Sequence, residues 1–415
     1  MTTKLTTRVY FFYFLSFVGI AFVALEWLVI VRSDKVPGID FLIYFDSAKN
    51  FLASPHSLYQ LENSGFAQYL YPPPSILVFI PLTVLPAKVA FFLFVILMYL
   101  CLLLSLYLWR KVLVRNDIFL STSGFIGITA ILTASCAMYH NATLGQINCL
   151  VLLLSMLFIF FLSDKPILAG CFLALAIWIK VYPLVLLLPA LFSKEGRKSI
   201  VSCFMLGILI PLILWPWIPL EQYGTFVNKL NVMSDFSSGH IINQSVIGFL
   251  LRLSLSYGEM ISWPNIFSIP LFCKIINLLL FGVLVGMAIY RVAKVAKKSG
   301  KTYVAQFGLT LASIAIFAPL GWGHVYIFTL PLLMLGFFLF LEKNNDLLLF
   351  SSVGLVALLL VIPIYNTPGF MRSSPLILAH LYYARLTIVN LGVFVMVLLL
   401  LKPQGLADLT PKKEL

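Results

Sequence analysis

Apolar stretches long enough to cross a hydrocarbon core of about 30 Å recur along this chain from Tyr10 to Leu401, separated by short polar or basic breaks. Read by length and hydropathy, they predict roughly twelve membrane spans, beginning near Tyr10, Ser75, Phe119, Cys149, Pro166, Tyr182, Ile200, Leu271, Tyr303, Val325, Leu347 and Leu376. The first follows Lys4 and Arg8, is too long for a signal-peptide core and lacks a small-residue cleavage site, so it is expected to be retained. Residues 166–192 are long for one helix and short for two, and Lys180, Val181, Tyr182 and Pro183 interrupt them.

Basic residues decide between those readings. A single helix there would put Arg110, Lys111 and Arg115 on the opposite side of the membrane from Lys194, Arg197 and Lys198. Two short helices broken at Lys180 keep both clusters inside, with Lys4 and Arg8, the basic residues of 291–301, and Lys412 and Lys413 on the same side. Both termini are then cytoplasmic. The outer face receives two long segments, 32–74 and 216–270, and the turns 138–148, 180–183, 321–324 and 363–375. All five histidines, His56, His140, His240, His324 and His380, fall outside or in outer span ends. In the first outer segment Phe45, Ala48, Phe51 and Leu52 recur at helical spacing beside Asp46, Lys49 and Asn50, which predicts an amphipathic helix at the membrane surface framing a cavity.

Composition agrees: 61% of the 415 residues are hydrophobic and 10% charged, against about 25% charged in soluble proteins. One all-α integral membrane domain over 1–402, followed by a short cytoplasmic tail over 403–415, is the expected organisation. The net charge of +13 sits in clusters between apolar runs, which fits membrane orientation and gives no reason to expect nucleic acid. The six cysteines lie singly, without the spacing of a zinc site or a disulfide framework.

The residues with candidate chemistry are few. Asp40, just past the first span, reads as an interfacial loop carboxylate or as a general base at the rim of a cavity, where partial desolvation would raise its pKa. Tyr71-Pro72-Pro73-Pro74 fixes an extended lead-in to the second span. Gln146 and Asn148 stand at the outer end of the fourth span, and Asn243-Gln244-Ser245 precedes an apolar helix containing Arg252. Helix capping and hydrogen bonding to sugar hydroxyls both suit these side chains. Asn141-Ala142-Thr143 and Asn243-Gln244-Ser245 also match glycosylation acceptors. Lys180 either snorkels to the interface or faces a water-filled cavity or an anion. His324 sits where one span ends and the next begins. With Arg372 and Arg385, these form a set of outer cations suited to phosphate or to lipid head groups. Gly-rich phosphate loops, metal-ligand spacings and nucleophile elbows do not occur, so no cofactor is expected, and dependence on a divalent metal is left open.

In order, Asp40-Phe41-Leu42-Ile43-Tyr44, Leu58-Tyr59, Tyr71-Pro72-Pro73, Gly145-Gln146-Ile147-Asn148, Lys180-Val181-Tyr182-Pro183, Asn243-Gln244-Ser245 with Arg252, and Trp322-Gly323-His324 resemble glycosyltransferase family 87, of the GT-C superfamily. The resemblance implies a GT-C bundle, a polyprenyl-phosphate-linked donor such as polyprenyl-phosphate mannose, and inversion at the anomeric carbon. It implies Asp40 as catalytic base and His324 near the donor phosphate; Lys180 and Arg252 are candidates to help there. Tyr44, Tyr71, Gln146, Asn148, Asn243 and Gln244 complete the expected substrate site. The chain departs from the family where a second histidine often follows, having Val325 instead, and mannose, arabinose and other sugars remain open. Expected partners are the lipid-linked donor, a glycolipid or glycan acceptor, and membrane lipids, at the plasma membrane. A transporter or flippase of lipid-linked sugars is the alternative; such proteins place polar residues near the midplane and commonly repeat their halves. Here the polar set lies to one side and no repeat is visible.

Overall fold

In a computed structural model, residues 2–32, 38–60, 68–119, 121–262, 265–295, 300–343 and 385–400 are described. The first half runs α1 (Thr2–Arg32), α2 (Ile39–Ala53), α3 (Ala87–Arg115), α4 (Thr122–Thr133), α5 (Cys136–Leu144), α6 (Asn148–Phe161), α7 (Pro166–Ile179), α8 (Leu187–Ala190) and α9 (Lys194–Leu214). The second half runs α10 (Leu220–Ser234), β1 (Phe236–Ser238), α11 (Val246–Arg252), α12 (Tyr257–Ile261), β2 (Ile266–Ser268), α13 (Leu271–Val295), α14 (Gly300–Phe317), α15 (Leu330–Lys343) and a last helix, Arg385–Leu400. Serine marks several starts: Ser121, Ser135, Ser193 and Ser245 each accept a backbone N–H of the first turn, and Ser256 with Glu259 forms a reciprocal capping box.

Four helices among the described residues are long and apolar enough to cross a membrane: Val9–Arg32, Ala87–Arg115, Lys194–Leu214 and Leu271–Tyr290. α4 and α5, bent by 49° at their junction, make a fifth if read as one broken span. Asn148–Phe161, Pro166–Ile179, Val304–Phe317 and Gly323–Leu339 are apolar but shorter. The span expected from Ser75 begins later, at Ala87, because Pro73–Val78 and Ile80–Val84 wind into 3₁₀ turns. Pro73, Pro74 and Pro81 lack the N–H groups a continuous helix uses. The break at Lys180 is present: α7 ends at Ile179, Lys180 is extended, and Tyr182–Leu186 forms a 3₁₀ turn before α8. The span expected from Leu347 and the start of the one from Leu376 lie outside the described residues, as does the tail over 403–415.

Apolar side chains face outward over much of this surface. Phe14 and Phe17 on α1, and Phe204, Met205, Ile208 and Leu212 on α9, are more than half exposed, which suits a hydrocarbon surround. The interior packs α3 against α6, α6 against α7 and α7 against α9, with α1 along α4. The Trp109 indole, fully buried on α3, donates to the Pro331 carbonyl at 2.9 Å and ties the two halves together.

Residues 215–270 contain the one departure from an all-helical chain among the described residues, a small antiparallel ribbon in which Ser237 pairs with Phe267. Asn243 organises its base. Asn243 Nδ2 donates to the Ser238 carbonyl at 2.8 Å, while its Oδ1 accepts from Ser245 Oγ at 2.9 Å and from the Gly321 amide at 2.9 Å. An isolated bridge between Asn243 and Trp322 completes the seam to the 319–326 loop.

Candidate functional site

Asp40 stands in the first turn of α2, where an acidic side chain meets the positive end of the helix dipole. Phe41, Tyr44, Phe45, Ala48 and Phe51 recur at helical spacing and are buried, so packing sets the pitch of the helix and leaves Asp40 at its inner rim. Exposed Asp46 falls on another face, beside Lys49. Two glycines make the approach possible. Gly38, at φ 95, and Gly145, at φ 70, both adopt left-handed backbone, and a Cβ at Gly145 would come within 2.5 Å of Phe41 Cβ. Gly145 therefore lets the α5–α6 corner close onto α2 and carries Gln146 to Asp40.

Gln146 is the centre of the arrangement. Its Nε2 donates to Asp40 Oδ2 at 2.7 Å, and its Oε1 accepts from Lys180 Nζ at 3.1 Å. The Tyr44 and Tyr71 hydroxyls, 2.6 Å apart, lie 3.1 and 3.3 Å from the same oxygen. With Lys180 Nζ donating to Oε1, the amide is oriented so that its N–H side faces the carboxylate. Lys180 is 5% exposed, also donates to Asn148 Oδ1 at 2.7 Å, and lies over the Tyr71 ring at 4.9 Å and the Tyr182 ring at 5.3 Å. A desolvated cation over such rings gains about 2 kcal/mol per good contact. Lys180 is therefore turned inward onto side-chain amides and tyrosine rings instead of reaching out to the interface.

Asn148 extends the network to His324: its Nδ2 donates to the His324 carbonyl at 3.1 Å, and Asn141 Nδ2 donates to the same oxygen at 2.7 Å. His324 is buried, and its Nδ1 has no hydrogen-bond partner among the described residues. Asp40, Tyr44, Tyr71, Gln146, Lys180, Asn148 and His324 thus form one connected group. Buried Asn141 and Asn243 both use their amides internally, so neither glycosylation reading survives.

Arg252, Asn243 and Gln244 belong to a neighbouring cluster. Arg252 is fully buried at the end of α11, where Nη1 donates to the carbonyls of His240, at 3.2 Å, and Asn243, while Nε and Nη2 have no partner among the described residues. Gln244 Nε2 donates to the Ile241 carbonyl at 2.6 Å, and the Tyr326 hydroxyl donates to the Gln244 carbonyl. The clusters meet through the 319–326 loop, where Gly321 bonds Asn243 and the His324 carbonyl accepts from Asn141 and Asn148. Of the outer cations, Arg372 lies outside the described residues, and only the backbone of Arg385 is described.

Sequence reasoning missed several contributors. Asn141 was read only as a glycosylation acceptor. Tyr69, fully buried and bonded to Ser75, was not singled out; Tyr59, quoted only within the Leu58-Tyr59 motif, donates its hydroxyl to the Tyr71 carbonyl at 2.6 Å, and both back the tyrosine wall. The density of tyrosines over residues 59–71 was the available signal. Glu26, a buried carboxylate on α1, accepts from the Tyr99 hydroxyl at 2.9 Å; its place inside an apolar run was the signal there.

Burial raises the Asp40 pKa above the ordinary carboxylate range, while the Gln146 hydrogen bond and the Lys180 charge pull against that rise. At the turn outside α7, burial brings Lys180 down to about 7, and the Asp40 charge opposes the fall. Such a carboxylate is a better proton acceptor than a solvated one and has fixed partners on one oxygen. Among the described residues, no three His, Cys, Asp or Glu side chains gather as a metal site.

The model of glycosyltransferase family 87 matches residues 69–297, just over half of the chain. No curated protein matches it. The matched stretch contains Tyr71, Gln146, Asn148, Lys180, Asn243, Gln244 and Arg252. Asp40, Tyr44 and His324 lie outside it and join the matched residues only through the contacts just described.

Proposed function

The chain belongs to glycosyltransferase family 87, and from that premise we propose that it moves a hexosyl unit, mannosyl first, or a pentosyl unit from a polyprenyl-phosphate-linked donor to a hydroxyl of a lipid or glycan acceptor. Asp40 is the general base of this reading. It takes the acceptor O–H proton as that oxygen bonds to the anomeric carbon, and the carbon–oxygen bond to the lipid phosphate breaks on the opposite face, inverting the centre. A positioned base contributes about 10²–10⁴-fold. The leaving phosphate carries developing charge and needs fixed donors; among the described residues His324 Nδ1 is the uncommitted ring nitrogen of the connected group and is assigned that role.

The observation that carries this reading is the Asp40–Gln146 hydrogen bond, which joins a partly buried carboxylate to a cluster of tyrosines, amides and one lysine suited to sugar hydroxyls. Asp46, exposed beside Lys49, has no such company. In this reading the fold is a GT-C bundle of about twelve spans in the plasma membrane, with both termini cytoplasmic and the site on the outer side, as the basic clusters favour. Gln146, Tyr44 and Tyr71 line the sugar, and Asn243, Gln244 and Arg252 support the loop beside it.

The test is transfer of a radiolabelled sugar from polyprenyl phosphate to membrane lipid extract by purified protein, wild type against Asp40→Asn. Label moving into product with wild type only supports the base. No transfer from any of several donors, with donor crossing liposomes instead, would replace the enzyme by a flippase.

A further inference from the structure

Helix α10 has three faces. Gln222 and Phe226 are buried against the rest of the protein, and a mainly polar face of Glu221, Asn228 and Asn231, with Val232 beside Glu221, is exposed. Between them, Leu220, Val227 and Leu230 fall on one stripe at i, i+7 and i+10 and are 55%, 51% and 40% exposed. An apolar flank set between a packed face and a polar face is the pattern of a helix lying in a membrane interface. The stripe also continues a lipid-facing surface. α9 exposes Phe204, Ile208 and Leu212, and Trp215 and Trp217, 58% and 61% exposed, bridge its end to α10. Tryptophans gather at this level of a bilayer.

The packed face of α10 leads to the site. Gln222 Nε2 donates to the His56 carbonyl at 3.2 Å, and Glu221 pairs with the His56 ring. Lys229 Nζ donates to Gln68 Oε1 at 2.6 Å and lies over the Tyr59 ring at 5.8 Å. Tyr59 holds the Tyr71 carbonyl, and the Tyr71 hydroxyl meets Tyr44 and Gln146.

We propose that α10 docks through Leu220, Val227 and Leu230 into the headgroup–acyl boundary of the surrounding bilayer, and that this docking steadies the Tyr59–Tyr71 wall beside Asp40. The lipid contact stands without the transfer reading; its effect on the site rests on that reading. The test places a photoreactive diazirine amino acid at Val227 or at Asn228 in protein reconstituted into phosphatidylcholine–phosphatidylglycerol liposomes, and counts lipid adducts by mass spectrometry. Adducts concentrated at position 227 are expected, and equal yields at the two positions would overturn the docking. In parallel, Val227→Asp with Leu230→Asp should lower sugar transfer in the same liposomes severalfold, against Asn228→Asp with Asn231→Asp as the matched pair of charges on the polar face. Thermal melting checks that both variants stay folded. Adducts at 227 with transfer unaffected would overturn the link to the site and leave the docking standing. A wild-type protein that gives adducts but no transfer would count against the enzyme reading alone.

Discussion

Asp40 accepts a 2.7 Å hydrogen bond from Gln146, a residue 106 positions later in the chain. The other end of that amide receives Lys180, so the lysine orients the group that holds the carboxylate. Gln146→Leu removes the bridge with little change in volume. We expect at least a tenfold loss of transfer, roughly the 1.4 kcal/mol of one charge-assisted hydrogen bond, with some fall in melting temperature in detergent because Asp40 and Lys180 each lose a partner. A loss of melting temperature equal to that of a core deletion would make Gln146 structural instead.

Asp40→Asn keeps the shape and removes the proton acceptor. Transfer should fall by about 10²–10⁴-fold, chiefly in kcat, with donor binding retained when measured by equilibrium dialysis. Asp46→Asn, on the exposed face of α2, should leave transfer close to wild type.

The pH profile has a definite sign. Asp40 acts when deprotonated, and burial raises its pKa, so kcat/KM should climb with pH through a midpoint above the ordinary carboxylate range. The Lys180 charge lowers that pKa; Lys180→Met should therefore move the midpoint to higher pH, and Lys180→Arg should keep it nearer wild type. A midpoint that stays put in Lys180→Met would show that the lysine charge does not reach the base.

Gly145→Ala tests the corner. A side chain at φ 70 costs about 1–2 kcal/mol, and the new Cβ would meet Phe41 Cβ at 2.5 Å. Melting should fall and transfer should fall further than melting, because the clash pushes α2 and its Asp40 away from Gln146. Equal activity per folded molecule would sever that link.

Asn243→Ala should destabilise the seam between the ribbon and the 319–326 loop. It strips the Gly321 amide and the Ser238 carbonyl of partners inside the protein, at about 1–3 kcal/mol each. Proteolysis of residues 236–268 in detergent should then become measurably faster.

The break at Lys180 was legible because two basic clusters had to share one side of the membrane, and membrane insertion acts on charge directly. A helix over 45–52 was legible from the spacing of Phe45, Ala48 and Phe51, but not its start at Ile39, which puts Asp40 in the first turn. The 3₁₀ turns from Pro73 were not, since the same residues read as apolar enough to begin a span, and only the missing proline N–H groups decide the backbone. Nor did the sequence separate Lys180 from Arg252: each is a cation in an apolar setting, and which carbonyls and amides surround it depends on contacts far apart in the chain. Gln146 was chosen for its chemistry, but its bridging place follows from the left-handed turn at Gly145, which a lone glycine does not announce.

The His324 carbonyl is reached by Asn141 and Asn148 across 183 and 176 positions, and the Trp109 indole meets Pro331 across 222. During synthesis the early helices therefore enter the membrane with these amide and indole donors still waiting for their distant acceptors. Asp40, Gln146 and Lys180 can assemble as soon as α7 has been made, whereas the His324 side of the group closes only when the last third of the chain arrives. A ribosome halted near residue 300 would thus leave a half-built centre, and the order of translation itself keeps the complete one from forming early.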